Sequence, residues 1–224
     1  KTYSFQTVFQ QLFQFCTVDL SSFYFDIRKD ALYCDHISSH VRKSCIFTLE
    51  MIFERLVKWF APILPFTMEE VWMQRQKENL NTSVHLDDFP KTPNEWTNIE
   101  LEEKWNRIRD IRSYVTLAIE KERQNKNIRS SLEASPVLKI KDKNLFKILS
   151  SVDFSEVCIT SSIKIELNED LQLEENLSSD EGIEVSIVKA EGEKCNRCWK
   201  YTNSCTHYKN KIICKRCDEV LNDS

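Results

Sequence analysis

The sequence predicts a mainly α chain: a helical bundle over residues 1–128, a small α/β segment over 129–188 and a four-cysteine module over 189–224. Three observations lead there. Apolar residues recur at three- and four-residue steps through long stretches of the first 126 positions, which is the spacing of one helical face. Only two glycines occur, Gly182 and Gly192, as suits helices. Five of the nine cysteines fall between 195 and 217.

The elements follow in order. Phe5, Val8, Phe9, Leu12, Phe13 and Cys16, continued by Leu20, Phe23, Tyr24 and Ile27, predict helix over 3–34. From about Val41 a second stripe runs through Leu49, Ile52, Phe53, Leu56, Val57 and Phe60, with Arg42, Lys43, Glu50, Arg55 and Lys58 opposite. Pro62 is expected to end it. Thr67 and Glu70 read as a capping box opening a short helix with Val71 and Trp72. Residues 79–98 are polar, with Pro90 and Pro93, and read as a connection with one extended piece at 84–86. Leu101, Trp105, Ile108, Val115 and Ile119 mark a long helix over about 100–126. It is basic, since residues 104–129 hold eight Lys/Arg against three Asp/Glu. Short strands are expected around Val137 and Ile140, at 157–160 and at 183–187, with a helix over 143–151. Residues 165–184 carry eight acids and no base, and read as a solvated loop or strand edge.

Composition excludes several classes of function. Two isolated glycines cannot build the Gly-rich phosphate loop of a nucleotide-binding fold. A net charge of −4 rules out a chain that is basic all over, though not a local basic face. No run approaches 18 apolar residues and the start does not read as a signal peptide, so a soluble, cytoplasmic protein is expected. No serine sits in a G-x-S-x-G elbow. His36 and His40 lack the carboxylate of an H-E-x-x-H site, and read as surface or capping residues.

Cys195-x2-Cys198 and Cys214-x2-Cys217 are separated by fifteen residues. Each pair makes a tight knuckle that aims two sulfurs at one point, and the spacer is long enough to return the chain as a hairpin. The pattern predicts one zinc ion in a tetrahedral four-sulfur shell. Cys205 and His207 lie between the pairs as alternative donors. Four thiolates leave no open coordination position, so such a zinc is structural. A second CxxC at this distance argues against a redox dithiol. Residues 189–217 also hold eight basic side chains against two acidic ones. With Trp199 and Tyr201 among them, they have the composition of a surface for single-stranded or loop RNA. Trp199 has two readings, as a lid packed on the knuckle or as a face on which a base stacks.

Several ordered motifs resemble the C-terminal, anticodon-binding and zinc-finger region of bacterial isoleucyl-tRNA synthetases, which are class I aminoacyl-tRNA synthetases. DLSSFYFDIRKDALYC at 19–34, WFAPILPFTMEEVW at 59–72 and SVHLDDFP at 83–90 resemble the helical anticodon-binding bundle. SSLEA at 130–134 resembles the entry to the α/β junction. KAEGEKCNRCW at 189–199 and ICKRC at 213–217 resemble the terminal zinc module. The bundle motifs are shared with valyl- and leucyl-type relatives, and the KAEGEKC module points to the isoleucine enzyme.

The resemblance implies a positioning role. The chain would hold the anticodon stem and loop of isoleucine tRNA while a distant active site joins isoleucine to ATP and then to the tRNA. The H-I-G-H and K-M-S-K-S signatures of that active site are absent from the sequence. The catalytic core, with its ATP site, and the editing domain are therefore expected upstream in the same chain, and these 224 residues are expected to be inactive alone. Opening on Lys1 rather than Met agrees with that expectation. RNA contacts are expected first from Arg197, Trp199, Lys200, Lys209, Lys211, Lys215 and Arg216, then from Arg109, Arg112 and Arg123, and then from Arg28 and Lys29. Two other readings stand beside it: a non-enzymatic zinc ribbon that binds nucleic acid without tRNA discrimination, and a zinc-stapled protein-interaction module.

Overall fold

A computed structural model describes residues 4–75, 82–169 and 182–222. The chain forms two compact units, Lys1–Thr97 and Asn98–Ser224.

The first unit is helical. Helix α1 spans Phe5–Gln14, the chain continues through Phe15–Phe25 as π-helix, and α2 spans Asp26–Cys34. The predicted helix over 3–34 is thus helical throughout its described part, but its middle is wound with an extra residue per turn. The Ser22 hydroxyl there donates to the carbonyl of Thr17, five residues back. Residue 3 lies outside the described residues. Helix α3 spans His40–Phe60 and is capped by the Ser39 hydroxyl. It ends just before Pro62, as expected. Phe9 of α1 meets Phe60 edge-on at 6.2 Å. His36 and His40 act locally, their Nδ1 atoms lying 2.6 Å from the Ser38 hydroxyl and 3.5 Å from that of Ser44.

Helix α4 spans Pro65–Arg75. It begins two residues before Thr67, so the capping-box reading is corrected: Pro65 takes the first helical position, where its missing N–H costs nothing. The neighbouring carboxylate, Glu69, ties α4 to the following turn instead. Its Oε2 accepts from the Ser83 hydroxyl at 2.9 Å and from the Val84 N–H at 3.0 Å. Residues Val84–Leu86 form a 3₁₀ turn rather than an extended piece, because Ser83 caps them and Val84 turns inward. Val57, Ala61, Trp72 and Val84 form a core with Phe53, Met68 and Val71 packed on it. Residues 79–81 of the polar connection lie outside the described residues.

The second unit is built on α5, Ile99–Gln124, capped by Asn98. Ile108, Ile111, Val115 and Ile119 are its buried stripe, whereas Leu101 is exposed. Helix α5 packs on the sheet strand Ile183–Lys189 and on the short helix Phe154–Cys158. The sheet has strand order β2-β1-β3, with β1 Ala134–Ile140 central, β2 Lys164–Leu167 parallel to it and β3 Ile183–Lys189 antiparallel. Alternate residues of β1 are buried: Ala134, Pro136, Leu138 and Ile140 face the core. Helix α6, Lys143–Ser150, packs on β1 and β2 and buries Leu145 and Leu149.

The strand expected at 157–160 is absent. Helix α7, Phe154–Cys158, takes its place, capped by Asp153, and Ile159 closes it at φ 57°. The β-branched run had suggested a strand, but the cap and the burial of Phe154, Val157 and Cys158 decide otherwise. Of the acidic stretch 165–184, residues 170–181 lie outside the described residues, and its ends are strands. Among the described residues, no helix is long and apolar enough to cross a membrane.

Candidate metal centre and the cleft beside it

The terminal module is two small ribbons and a helix. β4, Glu193–Lys194, pairs with β5, Tyr201–Thr202; β6, Cys205–Tyr208, pairs with β7, Lys211–Cys214; α8 is Lys215–Asn222. The first CxxC forms the turn between β4 and β5. The second runs from the end of β7 into the first turn of α8. The hairpin expected between the pairs is therefore present. Asn196 N–H donates to the Ile212 carbonyl at 2.8 Å and ties the two knuckles together. Trp199 closes the first knuckle at φ 65°, with its N–H on the Cys195 carbonyl.

This framework brings the Sγ atoms of Cys195, Cys198, Cys214 and Cys217 within 4.8 Å of one another, a set that can hold a metal ion. A tetrahedral thiolate shell with bonds of ~2.3 Å needs sulfurs roughly 3.8 Å apart. Cys198 and Cys214 already stand at 3.7 Å, so the residues fit such an ion. Cys205 and His207 are not part of the set. Cys205 donates to the Glu193 carbonyl at 3.4 Å, and His207 is exposed on β6.

Donors converge on the sulfurs. Cys195 Sγ accepts from the N–H groups of Arg197 at 3.4 Å and Cys214 at 3.3 Å, and an Arg197 guanidinium nitrogen lies 3.6 Å from Cys217 Sγ. Burial alone pushes the Cys195 thiol up, but the N–H groups of Cys198, Cys214 and Arg197 bring it down to about 6. Hydrogen bonding with Cys217, with burial behind it, pushes Cys198 up, and burial raises Cys214. Four sulfurs this close cannot all carry charge without a cation among them.

The basic residues expected to meet RNA separate into groups. Lys209 and Lys211 stand at the hairpin tip, Lys209 lying 5.2 Å over the Tyr208 ring. Lys215 reaches Glu219 at 3.9 Å. Trp199 is 60 % exposed, with Lys194 Nζ 5.5 Å over its ring, so it is not a lid packed into the knuckle. On α5, Arg112 Nε donates to the Val157 carbonyl at 2.9 Å and holds α7, Arg123 pairs with Glu120 at 2.8 Å, and Arg109 is half-buried. Arg28 and Lys29 lie on α2, and Lys29 is 2.7 Å from Asp26.

Lys200 and Arg216 instead face a cleft of about 860 Å³ between the module and the outer face of the sheet. Ser135 and Val137 of β1, Lys164 of β2 and Val188 and Lys189 of β3 line its sheet side. Tyr201, Thr202, Asn203 and Ser204 line the other. The sequence alone points to no cleft, because its walls come from segments far apart in the chain. Gly192, at φ 91°, lets the chain turn against the Thr202 backbone, where an added Cβ would come within 2.3 Å of a carbonyl carbon.

Comparison with known proteins agrees with this architecture. The family described as "Anticodon-binding domain of tRNA ligase" matches residues 1–138. The isoleucine–tRNA ligase of Pelagibacter ubique is 46% identical over 216 residues, 96% of this chain and 22% of that protein. Those of Brucella abortus and Ruegeria pomeroyi are 47% and 43% identical, over 90% and 98% of this chain and 20% and 22% of theirs. The chain thus spans about a fifth of the length of the curated relatives it matches. The family match takes in more than half of the chain, and the chain belongs to the family of tRNA-ligase anticodon-binding domains.

Proposed function

We propose that this chain is the tRNA-binding portion of an isoleucine–tRNA ligase, holding the anticodon region of isoleucine tRNA while a catalytic core elsewhere in such a ligase uses ATP to attach the amino acid. The observation that carries this is the similarity to isoleucine–tRNA ligases at 46% identity over 96% of the chain. The role is positioning, which lowers a barrier by fixing distant parts of a substrate relative to the active site. The helical part, the α/β junction and the module after residue 189 share that role, and its setting is the cytoplasm.

Cys195, Cys198, Cys214 and Cys217 bind one structural zinc. A four-thiolate shell offers no site for water or substrate, so the ion orders the module and does no chemistry. Phosphate contacts fall to Lys200 and Arg216 at the cleft and to Lys209, Lys211 and Lys215 around the hairpin; Arg197 supports the sulfurs, and Trp199 is free to stack on a base. Arg28, Lys29, Arg109, Arg112 and Arg123 extend the basic surface.

The test is binding of the zinc-loaded chain to isoleucine tRNA and to a non-cognate tRNA at fixed salt, with and without chelator. Preference for isoleucine tRNA that disappears on chelation supports the reading. Equal, strongly salt-dependent binding to any nucleic acid would replace it with a non-specific zinc ribbon.

A further inference from the structure

We infer that the cleft between the outer sheet face and the cysteine module is a binding site for an unpaired RNA strand, with Lys164, Lys189, Lys200 and Arg216 holding phosphates and Tyr201 and Asn203 meeting a base. This rests on the reading that the chain binds tRNA, and adds where and in what form the RNA lies. At about 860 Å³ the cleft falls in the ~300–1,000 Å³ range of ligand sites, larger than a free anion needs. A duplex would turn its bases inward, away from the apolar floor, whereas an unpaired strand presents them.

Charge converges here from separate parts of the fold. Lys164 comes from β2, Lys189 from the end of β3, Lys200 from the first knuckle and Arg216 from α8, with Glu191 as the acid in the lining and Asp153 near Lys200. A solvated charge run on one helix face does not do this. Lys164 is 2.6 Å from Glu166, but both are surface groups, and such pairs open at little cost. The floor is apolar, with Val137 and Val188, and offers a flat face to a base or ribose. Paired hydroxyls rim it, Ser135 with Ser162 at 2.7 Å and Thr202 with Ser204 at 3.0 Å. Each pair keeps free lone pairs, which suit the donors of a ribose or base. A polyglutamate chain would use the cations but has no flat ring to lay on the floor, which separates it from RNA in the test below.

The walls are fixed to each other. Tyr201 N–H donates to the Ser161 hydroxyl at 2.7 Å, and that hydroxyl donates to the Leu132 carbonyl. Ala190 N–H donates to the Glu133 carbonyl at 2.8 Å. The site is therefore preformed and binds without first ordering its walls.

The experiment compares the zinc-loaded 224-residue chain with two double variants, Lys164→Ala/Lys189→Ala in the cleft and Lys143→Ala/Lys147→Ala, two exposed lysines of α6 outside it. Labelled isoleucine tRNA and a labelled single-stranded oligouridylate are titrated over a salt series, and zinc content is measured for each protein. Loss of two phosphate contacts should weaken both RNAs about tenfold and flatten the dependence of log affinity on log salt by about 1.4, or roughly 0.7 per contact. The α6 variant should change neither by more than about twofold. Tyr201→Ala should weaken the oligouridylate with the salt slope unchanged, as loss of stacking requires. Parent-like binding by the cleft variant at full zinc content overturns the inference and leaves tRNA binding standing. Competition by polyglutamate equal to that by unlabelled oligouridylate overturns it in favour of an acidic protein partner. Failure of the parent chain to bind either RNA sinks the underlying reading as well.

Discussion

The sheet and the cysteine module sit side by side in one compact unit, yet they are held together by different physics. Leu138, Ile140, Leu145, Leu149 and Phe154 pack to 1 % exposure or less between the sheet and its helices. Among its described residues, the module buries only Cys195, Ile213, Cys214 and Cys217. Three of those four are sulfurs that the metal reading assigns as ligands. One region has a hydrophobic core sufficient to fold it, and the other puts its ligands where a core would be. The comparison predicts that they come apart in a defined order.

The largest effect should come from metal removal. A structural four-thiolate zinc contributes on the order of 10 kcal/mol to a small module. Chelation, or Cys217→Ser, should abolish amide-exchange protection in 193–222 while the amides of β1 and α6 stay protected. Uniform loss of protection across both regions would show that the sheet depends on the metal too, and would break the comparison.

Next comes the hydrophobic side. Leu149 is fully buried on α6. Leu149→Ala should cost about 2–5 kcal/mol in denaturant unfolding, with zinc stoichiometry unchanged. A drop in zinc binding of the same variant would mean that the module draws its stability from the sheet.

The same contrast explains what was legible in the sequence. The four cysteines could be read directly because metal ligation is local: two short spacings and a return length fix it. The α3 helix was legible from its 3.6-residue periodicity, but burial follows that stripe only at Val57 and Phe60, and Arg55 and Lys58 opposite it keep only 11 % side-chain exposure. The π-helical segment Phe15–Phe25 was not legible, since apolar residues three and four apart are compatible with either winding. The Val157–Cys158–Ile159 run misled because strand propensity is weaker than a capped turn that buries Phe154 and Val157. The cleft was hidden for a topological reason. Its floor depends on β1 lying between β2 and β3, and its other wall on a module that starts past residue 190.

Ser161 marks the seam between the two regions, which makes Ser161→Ala the sharper, smaller test. The substitution leaves the Tyr201 N–H without its acceptor and the Leu132 carbonyl without its donor. A half-buried loss of this kind costs about 1–3 kcal/mol. Zinc content should stay at parent level, because no ligand is touched, while the affinity for single-stranded RNA falls as the cleft loosens. Unchanged affinity with reduced stability would make the hydroxyl a structural tie without influence on the cleft.

The smallest predicted effect lies at Asp153, the cap of α7. Its burial favours the protonated form, but the Ser155 hydroxyl and the Glu156 N–H outweigh that and hold the carboxyl below its ordinary value of 3.8. A carboxylate with a depressed folded pKa stabilises the fold above its unfolded pKa, and that contribution is lost as pH falls through the lower folded value. The residue is only partly covered, so solvent screens its charge interactions and the cap hydrogen bond, at 3.1 Å to the Glu156 N–H, is the main contribution. Asp153→Ala should cost about 1 kcal/mol near neutral pH. Asp153→Asn keeps an acceptor at the cap and removes the titration. The difference in stability between the parent and Asp153→Asn should therefore be constant above about pH 5 and shrink below 3.8. A difference that instead grows on acidification would mean that protonated Asp153 is the stabilising form, with burial outweighing the cap.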